Sequence, residues 1–138
     1  MTERILCVDD DVDILKGFQR LLRKEFKIDV AVGGAEALEI LEEKGPYAVV
    51  VSDLRMPGMD GIQLLSRVRE LAPETVRVML TGKADTEAAI EAVNEGQLFR
   101  FLTKPCPVKR LSQALHAAIA QHRLLTAEKT LLERTLRG

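Results

Sequence analysis

The chain has few cysteines, no excess of charge of either sign and no long apolar segment. Its two cysteines, Cys7 and Cys106, form no spaced framework, so we expect no structural disulfide. The formal net charge of −1 gives no reason to expect nucleic acid as a direct partner. The apolar run at residues 5–8 is too short for a signal peptide, and no stretch approaches the length that spans a bilayer. We therefore expect a cytoplasmic protein without membrane contact.

Five short apolar runs alternate with segments that carry apolar residues at helical spacing. The 138 residues, 46% hydrophobic and 30% charged, are enough for one domain with a real core. The runs lie at residues 5–8, 28–32, 48–51, 76–80 and 99–102. This alternation predicts an α/β fold, a doubly wound five-stranded parallel sheet. Functional residues in such sheets collect at the carboxyl ends of the strands.

Acidic residues are concentrated at the carboxyl ends of two predicted strands. Aspartates occupy positions 9, 10, 11 and 13 after the first run, and Asp53 closes the third. Two like charges about 4 Å apart repel by roughly 4 kcal/mol at an effective dielectric near 20, so the cluster needs a cation or a proton. Mg²⁺ prefers oxygen ligands and needs only one or two carboxylates beside a phosphate oxygen. Asp11 and Asp13 are better explained as residues that cap the following helix.

The acidic pair Asp9-Asp10, together with Asp53, Thr81 and Lys104-Pro105, resembles the receiver domain of two-component response regulators, chemotaxis-regulator-like. Residues 53–61 also match the family's loop after its phosphorylated aspartate, and the resemblance covers about residues 4 to 121. It implies a flavodoxin-like (βα)₅ fold with strand order 2-1-3-4-5 and Mg²⁺ as cofactor. It also implies a regulatory phosphoacceptor that serves phosphorelay signal transduction and is not an enzyme with a turned-over substrate. The implied donor is a sensor histidine kinase or a phosphotransfer protein.

The resemblance assigns a role to each residue of the site. Asp53 accepts the phosphoryl group as an acyl phosphate. Lys104 supplies a fixed positive charge and Thr81 a hydroxyl group for the phosphoryl oxygens. Thr81 and Phe101 form the switch, which would remodel the face of the fourth helix, fifth strand and fifth helix. The implied Mg²⁺ ligands are the carboxylates of Asp9, Asp10 and Asp53 and the backbone carbonyl of Arg55.

Three features concern the neighbourhood of that site. Arg55 and Lys83 place positive charge beside it, and we hypothesise that they alter how water reaches a phosphoaspartate. Gly58 and Gly61 are predicted to form turns. The stretch at residues 96–101 is one residue longer than the common family spacing, which affects the geometry before Phe101.

The last helix is predicted to begin near Pro107 and to continue past Gln121. Leucines at positions 125, 132 and 136 continue a coarse 4-3 spacing, while His122 and Lys129 interrupt its seam, so a coiled coil would be weak or register-specific. We divide the chain into a receiver domain, residues 1–121, and a C-terminal helical extension, residues 122–138. The extension is expected to lead to a missing output domain or to join two copies in a homodimer.

Two alternatives remain open from the sequence. In a haloacid-dehalogenase-like phosphatase, Asp9 would be the nucleophile and Asp11 the acid. That enzyme needs another acidic pair after its lysine, where only Glu128 and Glu133 occur, and it leaves Asp53 without a role. The second alternative is an interaction module that keeps the fold but is never phosphorylated. The complete set of acids, hydroxyl and lysine argues against it.

Overall fold

The computed structural model describes residues 3–96 and 98–137, and its strands form one parallel sheet in the order β2-β1-β3-β4-β5. The strands are β1 (Arg4–Asp9), β2 (Lys27–Val32), β3 (Val49–Asp53), β4 (Val76–Thr81) and β5 (Arg100–Thr103). The helices are α1 (Val12–Leu22), α2 (Gly34–Lys44), α3 (Gly61–Leu71), α4 (Thr86–Asn94) and α5 (Val108–Arg137), and a 3₁₀ turn (Lys83–Asp85) precedes α4. The predicted doubly wound, flavodoxin-like fold with an extended last helix is confirmed. The longer spacing at residues 96–101 includes Gln97, which lies outside the described residues.

Helices cover both faces of the sheet and create two apolar cores. The residues of β3 are all buried, which is why its sequence is a continuous apolar run and not an alternating one. One core lies under α1 and α5 and includes Leu15, Leu22 and Leu115. The other lies under α2, α3 and α4 and includes Leu64 and Val68. The central strands β1 and β3 are thereby fixed side by side, and their carboxyl ends meet at one edge.

The first part of α5 packs on the sheet, and the rest extends along and beyond the domain. Its buried residues are Leu111, Ala114, Leu115, Ala118 and Ile119. Further along, polar contacts attach the helix to residues that precede β4 and β1. His122 Nδ1 lies 2.7 Å from the backbone oxygen of Glu74, and Lys129 Nζ lies 3.1 Å from its carboxylate. Arg123 pairs with Glu3 at 2.8 Å. Within the described residues, no helix combines the length and the apolar character needed to cross a bilayer.

Candidate functional site

Three carboxylates meet where β1 and β3 end. Asp9 is the last residue of β1, Asp10 follows it, and Asp53 is the last residue of β3. One carboxylate oxygen from each lies within 4.8 Å of those of the other two. Asp9 and Asp53 are 1% and 8% exposed, whereas Asp10 is exposed. The side chains expected to bind Mg²⁺ therefore lie together at the carboxyl edge of the sheet.

Asp9 is the least satisfied member of this cluster. Its Oδ1 accepts the backbone N–H of Asp11 at 2.9 Å, but its buried Oδ2 has no hydrogen-bond partner within residues 3–96 and 98–137. Burial raises the pKa of Asp9 to about 6, and the negative charge of Asp53 adds to the effect, while the bond from Asp11 opposes it. A buried oxygen without a donor, beside two further carboxylates, suits a hard divalent cation with all-oxygen ligands. The residues present fit Mg²⁺.

Asp53 is balanced by a lysine. Lys104 Nζ lies 2.7 Å from Asp53 Oδ1, and the same oxygen accepts the backbone N–H of Leu54 at 3.0 Å. Lys104 follows β5, and its own backbone N–H donates to the carbonyl of Thr81 at 2.8 Å. The bond between Lys104 and Pro105 is cis. The lysine is thus tied to both neighbouring strand ends, with its charge directed at the acidic cluster.

Thr81 and Phe101 lie on the same face of the sheet. Thr81 pairs with Thr103 across β4 and β5, and Phe101 is two residues before Thr103, so their side chains project in the same direction. Thr81 is fully buried, and its hydroxyl donates to the carbonyl of Gly82 at 3.3 Å, a long bond. Phe101 is partly buried against the core under α4. The hydroxyl therefore points to its own loop in this structure.

The loop after Asp53 is anchored to the start of α3. Asp60 caps α3 by accepting the N–H of Gln63 at 2.8 Å, and the Gln63 side chain accepts the N–H of Asp60 at 3.0 Å. Gly58 has φ +77°, as the predicted turn requires. Gly61 is needed for a different reason: a Cβ there would lie 2.3 Å from the carbonyl oxygen of Asp53. A side chain at position 61 would displace the backbone that carries the acidic residue.

Sequence reasoning missed Asp85. The Arg55 side chain forms two bonds with Asp85, Nε to Oδ2 at 3.2 Å and Nη2 to Oδ1 at 2.5 Å. The guanidinium holds the pKa of Asp85 below its ordinary value. Lys83 is exposed in the 3₁₀ turn. Nothing in the sequence pairs residues 55 and 85, because an aspartate just before a helix is ordinarily explained as a cap.

The geometry gives no support to the phosphatase alternative. Asp11, its expected acid, caps α1 by accepting the N–H of Asp13 at 2.9 Å. Glu128 and Glu133 are exposed on the extension of α5. Among the described residues, no acidic side chain beyond Asp9, Asp10 and Asp53 joins the cluster.

Known proteins provide independent comparisons. A family model for the response regulator receiver domain matches residues 5–116. The hydrogenase transcriptional regulatory protein HoxA of Bradyrhizobium diazoefficiens is 34% identical over 126 residues, which cover 91% of this chain and 26% of HoxA. The transcriptional regulatory protein GlrR of Escherichia coli is 36% identical over 126 residues, which cover 91% of this chain and 28% of GlrR. The chain thus spans about a quarter of the length of these relatives.

Solved structures show the same fold. A crystal structure of adenylate cyclase from Rhodopirellula baltica superimposes with a TM-score of 0.94 at 42% identity, covering 96% of this chain and 98% of that one. A response regulator receiver domain protein from Clostridium thermocellum gives a TM-score of 0.84 at 33% identity, with coverages of 89% and 98%.

Proposed function

The chain belongs to the response regulator receiver family, and we propose that Asp53 is the residue at which it accepts a phosphoryl group. One observation supports this most strongly. The Asp53 carboxylate lies both within the acidic cluster and 2.7 Å from Lys104, so it has acids on one side and a cation on the other. Transfer of a phosphoryl group needs a positively charged group close to the phosphoryl oxygens and a carboxylate in line with the donor. Asp53 is where these requirements coincide.

The carboxylates of Asp9, Asp10 and Asp53 would hold Mg²⁺, with the backbone carbonyl of Arg55 as a further ligand. The unpartnered buried oxygen of Asp9 and the all-oxygen character of the cluster support this. Bound Mg²⁺ would neutralise negative charge on the transferred group. Without Mg²⁺, the mutual repulsion of these carboxylates raises the free energy of the folded protein.

The proposed reaction is a direct displacement at phosphorus. A carboxylate oxygen of Asp53 attacks phosphorus, the bond from phosphorus to the donor breaks, and the leaving group keeps the electron pair. Lys104, which pairs with Asp53 before transfer, is close enough to pair with a phosphoryl oxygen afterwards. Loss of the group is attack by water at phosphorus, which returns the electron pair to Asp53 and releases inorganic phosphate. The domain promotes its own phosphorylation and dephosphorylation, and this is a regulatory role.

Thr81 and Phe101 would convert the modification into a change of surface. The Thr81 hydroxyl makes only a long bond to Gly82, so exchanging it for a phosphoryl oxygen loses little. Phe101 lies on the same face and contacts the core under α4, so it can respond to movement of Thr81. Phosphorylation would shift the population of two arrangements of the α4-β5-α5 face by their difference in contact energy.

The donor would be a sensor histidine kinase or a phosphotransfer protein in the cytoplasm. We propose that residues 1–121 are the receiver domain and that the extension from residue 122 leads to an output domain or joins two copies. The greater length of the relatives supports the first role. Exposed leucines on the extension, which gain nothing in an isolated helix, are compatible with either. They are Leu124, Leu131, Leu132 and Leu136.

The test is phosphorylation by a small donor. The protein is incubated with acetyl phosphate and Mg²⁺, and its intact mass and oligomeric state are followed together. We expect one added phosphoryl group on the wild type, none on Asp53→Asn, and none when Mg²⁺ is chelated. Asp13→Asn is the matched control, because Asp13 is an exposed aspartate of α1 outside the cluster. Equal labelling of Asp53→Asn would overturn the proposal, and a label on Asp9 would favour the phosphatase alternative.

A further inference from the structure

Three helices of the domain begin just after an aspartate, but only two of those aspartates cap their helix. Asp11 accepts the N–H of Asp13 in α1, and Asp60 accepts that of Gln63 in α3. Asp85 also precedes a helix, α4, but it is the last residue of the 3₁₀ turn, with φ −108° and ψ 13° where Asp11 and Asp60 are extended. Its carboxylate accepts no N–H from α4, all of whose residues are described. Aspartate favours this position because its oxygen can accept the N–H of the second or third helical residue. The first turn of α4 therefore lacks a bond that Asp85 can supply only when its own backbone becomes extended.

The carboxylate of Asp85 is occupied by Arg55. The pair joins the loop after β3 to the loop after β4, since Arg55 is two residues past Asp53 and Asp85 is four residues past Thr81. The Arg55 side chain is 79% exposed and that of Asp85 is 15% exposed. The arginine thus has solvent space in which to turn, whereas the aspartate is enclosed.

Arg55 is also suited to a phosphoryl group on Asp53. A guanidinium binds carboxylate and phosphate oxygens with the same two-pronged geometry. Two residues of chain span at most about 7 Å, so the long side chain of Arg55 can reach an anion attached to Asp53. Asp60, the other acid that acts on Arg55, is held in the cap of α3. Asp85 is the partner that a phosphoryl group would have to displace.

We propose that Arg55 exchanges partners when Asp53 is phosphorylated: its guanidinium moves from Asp85 to the phosphoryl oxygens, and the released Asp85 turns its backbone to the extended conformation and caps α4. This inference rests on the proposed phosphorylation of Asp53. Both groups keep a partner in each state, because Arg55 replaces one anion by another and Asp85 replaces a guanidinium by a backbone N–H. The exchange connects the modified aspartate to the first turn of α4 by a route separate from Thr81 and Phe101.

Affinity for a phosphoryl stand-in measures the exchange. Beryllium trifluoride bonds to a carboxylate oxygen as a phosphoryl group does, and its binding with Mg²⁺ can be followed by calorimetry. We expect Arg55→Ala to weaken binding and Asp85→Asn to tighten it, each by up to about fivefold, as for an ion pair open to solvent. Arg55→Lys, which keeps the charge and loses the fork, should fall between wild type and Arg55→Ala. The matched controls Arg67→Ala and Glu70→Gln alter an exposed ion pair of 4.0 Å on α3 and should change nothing.

The double variant separates contact from charge. If Arg55 carries the effect, Asp85→Asn should lose most of its tightening in the Arg55→Ala background. If Asp85→Asn tightens beryllium trifluoride binding equally in both backgrounds, Asp85 acts by long-range charge and not through Arg55. If Arg55→Ala and Asp85→Asn shift the affinity in the same direction, the ion pair only stabilises the two loops. Either result overturns the exchange.

Hydrogen exchange at the start of α4 tests the second step of the proposal, the capping of α4 by Asp85. The amides of Glu87 and Ala88 should exchange more slowly after beryllium trifluoride binds to the wild type, and this protection should be missing in Asp85→Ala. Unchanged exchange rates in the wild type would overturn the capping step. Labelling by acetyl phosphate distinguishes the two proposals: if Asp53 is phosphorylated while these signatures are missing, the exchange alone fails. Circular dichroism confirms that each variant is folded.

Discussion

Replacing Asp9 by asparagine should stabilise the metal-free protein while removing its affinity for Mg²⁺. The carboxylate is 1% exposed, and its Oδ2 has no donor in the described part of the chain. Its pKa rises from 3.8 to about 6, a difference of about 2 units, and each unit corresponds to 1.36 kcal/mol. Keeping Asp9 charged at neutral pH therefore costs about 3 kcal/mol at most. An asparagine keeps Oδ1 as the acceptor for Asp11 and removes the charge, so we expect a gain of about 1 to 3 kcal/mol in the free energy of unfolding.

The pH dependence has a definite sign. Because the folded pKa of Asp9 lies above the unfolded value, the folded state binds more protons between pH 3.8 and about 6. The contribution of Asp9 to stability therefore falls as the pH rises through this window. The advantage of Asp9→Asn should be largest above pH 6, should be much smaller near pH 4, and should vanish only well below pH 3.8, where the wild-type carboxyl is protonated in both states.

Thermal unfolding followed by circular dichroism measures this. In EDTA at pH 7 we expect the Tm of Asp9→Asn to exceed that of the wild type by about 3 to 10 °C. Mg²⁺ should raise the Tm of the wild type and have much less effect on the variant, because a ligand stabilises only the state that binds it. Asp10→Asn is the control, since Asp10 is exposed and should give a smaller gain in EDTA. A lower Tm for Asp9→Asn in EDTA, or an equal advantage at pH 4 and pH 7, would refute the reasoning.

Three further outcomes follow from the site and from α5. Thr81→Ala should be phosphorylated but should show little change in hydrogen exchange on the α4-β5-α5 face, and an unaltered response would contradict the switch. Lys104→Ala should slow phosphorylation by acetyl phosphate about a hundredfold, as loss of one group that stabilises transition-state charge does; an unchanged rate would remove Lys104 from the reaction. In denaturant unfolding, Leu115→Ala should cost about 2 to 5 kcal/mol and the exposed Leu132→Ala less than about 0.5 kcal/mol. Equal costs would mean that the extension of α5 is buried in solution.

The edge that carries the site could be predicted because two local patterns coincide there. An apolar run ends where a strand leaves the core, and parallel strands place their carboxyl ends on one edge, so polar residues after Val8 and Ser52 must be neighbours. For the same reason, the predicted ends of these elements lie close to the observed ones. The fifth run, at residues 99–102, corresponds to β5 at Arg100–Thr103, and α5 begins at Val108, one residue after the proline expected to start it.

Features that depend on loop conformation could not be predicted. The partner of Arg55 is thirty residues away, and the choice of Asp85 over Asp60 depends on how two loops approach each other. The requirement for Gly61 was attributed to a turn, whereas it comes from the carbonyl of Asp53, which leaves no room for a Cβ. Composition and periodicity report burial, but not which charged groups two loops bring into contact.

The position of the α5 extension restricts how a change at Asp53 can reach it. The acidic cluster lies at the carboxyl edge of the sheet, while Glu74 and Glu3, which hold the extension, precede β4 and β1 at the opposite edge. Thr81 is the last residue of β4 and Glu74 lies two residues before its first, and the six residues of that strand span about 20 Å. A phosphoryl group therefore cannot touch the extension directly. Its effect would have to be passed on by the packed elements in between, which include β4, β5 and the buried stripe of α5, where a shift of one element moves the next because the interior is close-packed.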